Sequence, residues 1–164
     1  MNRLICILLC CLIGTGCAYT TNPKTPKDIK TIAVPFFENR TSEPNLEIDV
    51  TDQVINFLVE DNTLKVTDEV DADAVLDGTI VSFRNVPFSF NRDLNAEEYH
   101  VLVTVEVTLY SRRLNKPIWG KKLIKGDGNY FVDAPEGEFT FDDALAEAIN
   151  EITDIIINLT VQDW

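Results

Sequence analysis

The segment YHVLVTVEVTLY, which runs from Tyr99 to Tyr110, decides the fold class of this chain. Its apolar residues occupy every second position up to Leu109, whereas the positions between them are mostly polar, as at His100 and Glu106. Successive side chains of a strand point to opposite faces of its sheet. We therefore predict a strand with one face in the core and the other against water or a partner.

Two further strand-forming stretches flank this segment, residues 74–90 before it and residues 118–125 after it. The turn at residues 113–116 is short, so the last two strands are expected to pair antiparallel. Three long strands are therefore expected at the centre of the chain.

The outer parts of the chain add helices and short strands. Residues 29–37 and 64–67 are strand-forming, and residues 46–61 between them have apolar residues at helical spacing. Such a strand-helix-strand unit has parallel strands and a right-handed crossover. Residues 141–159 repeat the helical spacing, and Thr140, with an acid three residues later, is suited to cap that helix. These patterns predict an α+β fold, with one mixed β-sheet and two helices packed on one face.

The first 16 residues have the order of an export signal. Arg3 precedes an apolar run at residues 4–13, and small residues lead to Gly16 directly before Cys17. About ten apolar residues are fewer than the roughly 20 that a membrane-spanning helix needs, so we predict that residues 1–16 are removed. We predict that Cys17 then becomes the lipidated first residue of a bacterial lipoprotein. A plain secretory signal followed by a coincidental cysteine is the alternative.

The predicted mature chain has a lipidated tether and one domain. Residues 17–28 are polar and contain two prolines, which is typical of a linker, and residues 29–164 have the length of a single domain. The other three cysteines lie in the signal, so no disulfide can form within the mature chain. Ala18, rather than an aspartate, follows the lipidated cysteine, and we therefore expect anchoring in the outer membrane, facing the periplasm.

The chain is strongly acidic. It has 14 Lys and Arg residues against 27 Asp and Glu residues, which gives a net charge of −13. Such a balance argues against nucleic acid as a partner and against general adhesion to anionic lipid. We therefore expect the acyl chains on the cysteine to hold the protein at a membrane.

The sequence contains no recognised catalytic or metal motif. His100 is the one histidine, and no second histidine or thiol of the mature chain completes a site with it. Asp71, Asp73 and Asp77 suggest a calcium loop, but Val75 stands where that loop needs an oxygen ligand. We expect His100 to be a solvated or edge residue, and we expect neither enzymatic activity nor a cofactor.

Positive charge is concentrated in one part of the chain. No acid lies between Val107 and Gly126, a stretch that contains six cations. These are Arg112, Arg113, Lys116, Lys121, Lys122 and Lys125. Two interpretations stay open: solvated lysines that prevent pairing at a sheet edge, or an anion-binding hairpin. Arg92 is a second candidate, because it follows Phe88 and Phe90 in a loop and a cation beside aromatic rings suits a phosphate and an acyl chain.

Several blocks of residues, in a fixed order, give the chain a resemblance to a known family. They are IAVPFFENRT at 32–41 with Glu43 and Pro44 after it, ADAVLDGTI at 72–80, Tyr99 at the start of the valine-rich strand, PIW at 117–119, and Trp164 after the last helix. These blocks resemble the lipopolysaccharide-assembly lipoproteins of the LptE family over nearly the whole mature chain.

The resemblance implies a non-enzymatic partner of a large outer-membrane β-barrel of the LptD kind. The protein would plug this barrel from the periplasmic side and help it to assemble and to insert lipopolysaccharide. Whether the protein binds lipopolysaccharide directly stays open; if it does, contact is expected at Arg92 and the 112–125 hairpin, because the loop at residues 133–138 is acidic. Two other functions stay open. One is an activator or scaffold of another envelope machine, such as a peptidoglycan synthase, and the other is a lipid A-binding module without a barrel.

Overall fold

The structure is a computed structural model that describes residues 29–133 and 139–162. These residues form six strands and two helices. The strands are β1 (Thr31–Ala33), β2 (Glu38–Asn39), β3 (Lys65–Val66), β4 (Ala74–Phe90), β5 (Ala96–Ser111) and β6 (Lys116–Phe131). The helices are α1 (Leu46–Asp61), between β2 and β3, and α2 (Phe141–Ile157), which continues as the π-helix Asn158–Gln162.

Some sequence predictions lie outside the described residues. They are the export signal at residues 1–16, the lipidation of Cys17, the tether at residues 17–28, and the part of the acidic loop after Asp133. Within the part of the chain that the structure describes, neither helix is long and apolar enough to cross a membrane.

One mixed sheet organises the described residues, in the order β3-β1-β4-β5-β6, and β2 also pairs with β4. β1 pairs in parallel with β3 and with β4, which confirms the parallel pairing of the strand-helix-strand unit. β4, β5 and β6 pair antiparallel. The fold is α+β as predicted, and α1 begins and ends at the predicted residues.

The core lies between the sheet and the two helices. The alternate residues of β5 that face it are at most 1% exposed: Val101, Val103, Val105, Val107 and Leu109. Val50 and Val54 of α1 and Ala148 and Ile152 of α2 belong to the same buried cluster. Both helices therefore cover one face of the sheet. The opposite face, here called the open face, is half-exposed along β5.

The strand predicted over residues 29–37 is shorter in the structure. β1 ends at Ala33, and the chain pairs with the sheet again only at β2. Pro35 has no backbone N–H to donate to a neighbouring strand, and the N–H of Phe37 donates to the hydroxyl of Thr51 in α1 at 3.0 Å. Neither Pro35 nor Phe37 therefore donates a backbone hydrogen bond to the sheet, and the strand ends before them.

β6 is longer than predicted, because it continues past Lys125 to Phe131. Its inward-facing positions in this extension include Gly126 and Gly128, and glycine weakens the strand signal of a sequence. A Cβ at Gly126 would overlap the carbonyl oxygen of Ala148, and one at Gly128 would overlap the equivalent atom of Ala144. α2 therefore lies directly against the backbone of β6, and glycine leaves the room for this approach.

The predicted cap is present at the start of α2. The N–H and hydroxyl of Thr140 donate to the carboxylate of Asp143 at 2.8 and 2.7 Å, and the N–H of Asp143 donates to the Thr140 hydroxyl at 3.3 Å. The bond from the Thr140 backbone is the main reason why the pKa of Asp143 lies below its ordinary value. This capping box fixes the residue at which α2 begins.

Candidate functional site

The three long strands form an arm with two different ends. β5 has 16 residues, which at about 3.3 Å per residue extend over about 50 Å. The distal end of the arm contains the β4–β5 turn at residues 91–95, and the proximal end contains the β5–β6 turn at residues 112–115. The first ring of α2, Phe141, packs edge-to-face on Phe83 and Tyr130, and residues 84–88 of β4 beyond it are exposed. The distal end therefore extends past the helical layer.

Large apolar side chains are exposed around the distal end, and we call them the distal apolar surface. They are Phe88 (61% exposed), Phe90 (56%), Leu94 (82%), Phe131 (53%), Val132 (53%) and Phe139 (58%). The N–H of Val132 donates to the Glu97 carbonyl at 3.0 Å, so β6 stays attached to β5 close to the tip. An exposed apolar patch on a folded domain marks an interaction site.

Arg92 lies in the distal turn. The side-chain oxygen of Asn91 accepts the N–H groups of Asp93 and Asn95 at 2.9 and 3.0 Å, and Leu94 adopts a left-handed φ of 63°. These local bonds give the turn a defined shape. Both Arg92 and Leu94 are exposed on it, so a cation and an apolar side chain are presented together.

Three of the four lysines of β6 lie beyond its first residues and have different surroundings. Lys121 donates to the carboxylate of Glu106 on β5 at 2.6 Å, and the ammonium of Lys122 lies 5.6 Å from the centre of the Trp119 ring. Lys125 is exposed farther along the strand. No acid lies between Val107 and Gly126 in the sequence. In the structure, however, Glu106 of the neighbouring strand lies next to Lys121.

The remaining hairpin cations lie at the proximal end and are Arg112, Arg113 and Lys116. The N–H of Arg112 donates to the Asp73 carbonyl at 3.0 Å. The Asp73 carboxylate accepts the N–H groups of Lys30 and Thr31 at 2.9 and 3.0 Å. The bond from Lys30 is the main reason why the pKa of Asp73 lies below its ordinary value, and the nearby Arg113 guanidinium adds to the effect. Arg92 is thus separated from Arg112, Arg113 and Lys116 by the length of the arm. The latter three residues lie beside the start of β1.

The open face carries a polar pair that the sequence did not reveal. The imidazole of His100 lies 2.9 Å from the carboxylate of Asp127 on β6 and packs edge-to-face against Phe88. His100 therefore lies on the outward face as expected. The expectation of a solvated or edge residue is wrong, because β5 lies between β4 and β6 and the imidazole has a carboxylate partner 27 residues away in the chain. Among residues 29–133 and 139–162, no group of three or more His, Cys, Asp or Glu residues is placed to hold a metal ion.

A groove of about 400 Å³ separates α1 from α2. Its lining includes the carboxylates of Asp49, Asp52 and Asp142 and the apolar side chains of Leu145 and Ile149. Three carboxylates oppose the approach of phosphate groups. The groove therefore disfavours anionic ligands.

Three solved structures share the fold of this chain. The hypothetical protein CT253 from Chlamydia trachomatis has a TM-score of 0.60 at 10% identity, over 80% of this chain and 95% of its own. Protein XCC0632 from Xanthomonas campestris has a TM-score of 0.57 at 10% identity, over 85% and 88%. Lipoprotein B from Nitrosomonas europaea has a TM-score of 0.53 at 14% identity, over 82% and 86%. At these identities the similarity concerns the fold alone.

Comparison with the curated proteins finds no match. One family model does match, and its description is LptE, lipopolysaccharide-assembly. The match covers residues 29–162, and it therefore includes both ends of the arm and both helices.

Proposed function

The chain belongs to the LptE family of lipopolysaccharide-assembly proteins, whose model matches residues 29–162, and from this premise we propose its role in the envelope. The protein is a non-enzymatic lipoprotein of the outer membrane that is anchored through Cys17 and faces the periplasm. It plugs a large LptD-like β-barrel from the periplasmic side. By doing so it helps this barrel to assemble and to insert lipopolysaccharide.

The distal apolar surface is the observation that carries this proposal. Its side chains are exposed at the end of an arm whose β4 residues 84–88 are accessible on both faces. Burial of apolar surface contributes about 25 cal/mol per Å², so a partner that surrounds the arm gains more than a flat partner that covers one face. The lumen of a barrel can surround the arm in this way.

The dimensions of the molecule also suit a plug. The arm is about 50 Å long, whereas the apolar band of an outer-membrane barrel is about 25 Å tall. Residues 18–28 can extend over about 35 Å between the anchor and the domain. The tether therefore allows the domain to enter a barrel while the acyl chains stay in the adjacent leaflet.

Arg92 is the proposed contact for lipopolysaccharide phosphate. It is exposed on the distal turn, two residues after the exposed ring of Phe90. A guanidinium binds phosphate through charge-assisted hydrogen bonds, and the nearby apolar side chains suit acyl chains. The exposed Asp133 disfavours phosphate on the β6 side of the tip.

Purification from native membranes tests the barrel partner. The wild-type protein is expected to co-purify with a large outer-membrane barrel, and its depletion is expected to reduce surface lipopolysaccharide. The double variant Phe90→Asp/Leu94→Asp should lose the barrel, since it places charge in the distal apolar surface. Val59→Asp is the matched control, because Val59 is 60% exposed on α1, away from the arm.

Three results would contradict the proposal. One is recovery of a peptidoglycan synthase in place of a barrel, which would favour the alternative function. The second is recovery of no barrel together with unchanged surface lipopolysaccharide after depletion. The third is equal loss of the barrel in the Val59→Asp control, which would remove the distal apolar surface from the interaction. For the glycolipid contact, Arg92→Glu should weaken lipopolysaccharide binding by the purified protein, whereas Lys125→Glu should not.

A further inference from the structure

The turn between β5 and β6 combines cations with an exposed apolar residue. We call residues 112–116 the basic turn; their sequence is RRLNK. The hydroxyl of Ser111 accepts the Leu114 N–H at 3.3 Å, and the hydroxyl of Tyr110 donates to the Asn115 side-chain oxygen at 2.6 Å. Leu114 is 42% exposed at the tip of this turn. A defined turn therefore presents positive charge around one aliphatic side chain.

The basic turn lies beside the point at which the chain enters the fold. Asp73 joins the two, because its carbonyl accepts the Arg112 N–H at 3.0 Å and its carboxylate accepts the Lys30 and Thr31 N–H groups. Residue 29 is the first that the structure describes, and the tether with Cys17 precedes it. The chain thus enters the described part of the fold at the end of the arm where the basic turn lies.

The basic turn itself contains three cations and no acid, although the chain is acidic. The exposed Lys30 and Lys65 lie at the same end of the sheet, but Lys65 is on the edge strand β3, and β1 and β4 lie between it and β5. Of the acids at this end, Asp73 accepts the N–H groups of Lys30 and Thr31, whereas Asp61 and Asp71 are exposed. With a net charge of −13, the rest of the molecule is repelled by an anionic surface. An anionic surface is therefore repelled least at the basic turn.

We propose that the basic turn binds the anionic phospholipid headgroups of the leaflet that holds the lipid anchor. Arg112 and Lys116 bind the phosphates, and Leu114 enters the interface between headgroups and acyl chains. The contact orients the arm, so that the distal apolar surface is held about 50 Å from these headgroups and is available to a partner. This inference rests on the anchor of the proposed function but not on its barrel.

Each cation close to an anionic membrane surface strengthens binding by about a factor of five. Arg112 and Lys116 together therefore favour the membrane-apposed orientation about 25-fold over the detached one. Arg113 is left out of this figure because it interacts with Asp73. The preference should weaken as salt rises, since the Debye length is about 10 Å at 0.1 M ionic strength.

The test uses the full lipidated protein in vesicles that contain no barrel. A fluorophore is attached to Thr63→Cys at the proximal end or to Asp93→Cys at the distal end, and lipids with quenching headgroups report proximity. Vesicles of phosphatidylethanolamine and phosphatidylcholine are compared with vesicles that also contain phosphatidylglycerol. We expect quenching of the proximal probe alone, and only when phosphatidylglycerol is present.

The charge-reversed variant Arg112→Glu/Lys116→Glu should lower the ratio of apposed to detached protein at least about 25-fold. Lys125→Glu is the matched control and should leave the ratio unchanged, because Lys125 lies about 30 Å farther along β6. Circular dichroism of each variant verifies that the domain is folded.

The proposal is overturned by quenching that is independent of phosphatidylglycerol, by stronger quenching of the distal probe, or by equal loss in the control. It is also overturned if only lipid A, and not phosphatidylglycerol, produces the effect. Protein that fails to attach to any vesicle would instead refute the anchor, which separates the two failures.

Discussion

Replacement of Gly126 with alanine measures how closely α2 lies against β6. The added Cβ would overlap the Ala148 carbonyl oxygen and would lie 2.9 Å from the carbonyl carbon. Non-bonded heavy atoms ordinarily stay more than about 3 Å apart, and the carbonyl oxygen is the nearer of the two atoms, so helix and strand must separate by at least about 1 Å. Ala148 and Ile152 are fully buried at this contact, so the separation disturbs a closely packed core.

Overpacking of a well-packed core costs about 1–3 kcal/mol. We expect the upper part of this range for Gly126→Ala, because the obstacle is helix backbone and not the end of a flexible side chain. Alanine recovers roughly 0.5–1 kcal/mol relative to glycine within a strand. The net loss in the free energy of unfolding is therefore about 2 kcal/mol, which corresponds to about 7 °C in Tm for a domain of this size.

Gly120→Ala is the matched control in the same strand, because a Cβ there would have no atom within 4 Å. It should be neutral or should stabilise the protein by about 0.5 kcal/mol. The measurement is urea denaturation followed by far-ultraviolet circular dichroism on the chain from residue 18 onward. If Gly126→Ala and Gly120→Ala have the same midpoint and slope, α2 does not approach β6 as the structure describes, and the reasoning is refuted.

Two further predictions concern hydrogen bonds at the two ends of the arm. Asp73→Ala should lower the free energy of unfolding by about 2 kcal/mol near neutral pH, since a carboxylate that accepts the N–H groups of β1 is lost. The pKa of Asp73 is lowered in the folded state, so its stabilisation is present above its ordinary pKa and is lost as pH falls through the lowered value. The difference in stability between wild type and variant should therefore shrink progressively as pH falls below about 4, and a constant difference would contradict this account. Thr140→Ala should cost about 1 kcal/mol by removing the cap of α2, whereas Thr140→Ser should restore most of it. Equal thermal melting temperatures of the alanine and serine variants would count against the cap.

The local elements were largely predictable because their signals are local. The alternation from Tyr99 to Leu109 reflects burial on one face, and the capping box needs only Thr140 and Asp143. The predicted end of β1 was wrong because Pro35 has no N–H to donate and the N–H of Phe37 donates to Thr51 in α1. The apolar pattern alone does not show either effect. The end of β6 was also wrong, since Gly126 weakens a strand signal although it marks the closest helix contact.

The candidate site depended more on tertiary structure. The sequence identified Arg92 and the hairpin cations as candidates, but it did not show that Lys121 has an acidic neighbour in Glu106. It also did not show that the basic turn lies at the chain entry, opposite to Arg92. Charge along one strand is visible in a sequence, whereas the charge of the adjacent strand depends on register.

By itself, the sequence determined the fold class, the bounds of α1, the cap of α2 and the family to which the chain belongs. These follow from periodicity, capping residues and ordered motifs, which act over a few residues at a time. The tertiary structure alone decided the two-ended character of the arm, with an apolar distal surface and a basic proximal turn. The physical reason is that sheet register and the length of the helical layer decide which side chains stay exposed, and both depend on contacts between residues far apart in the chain.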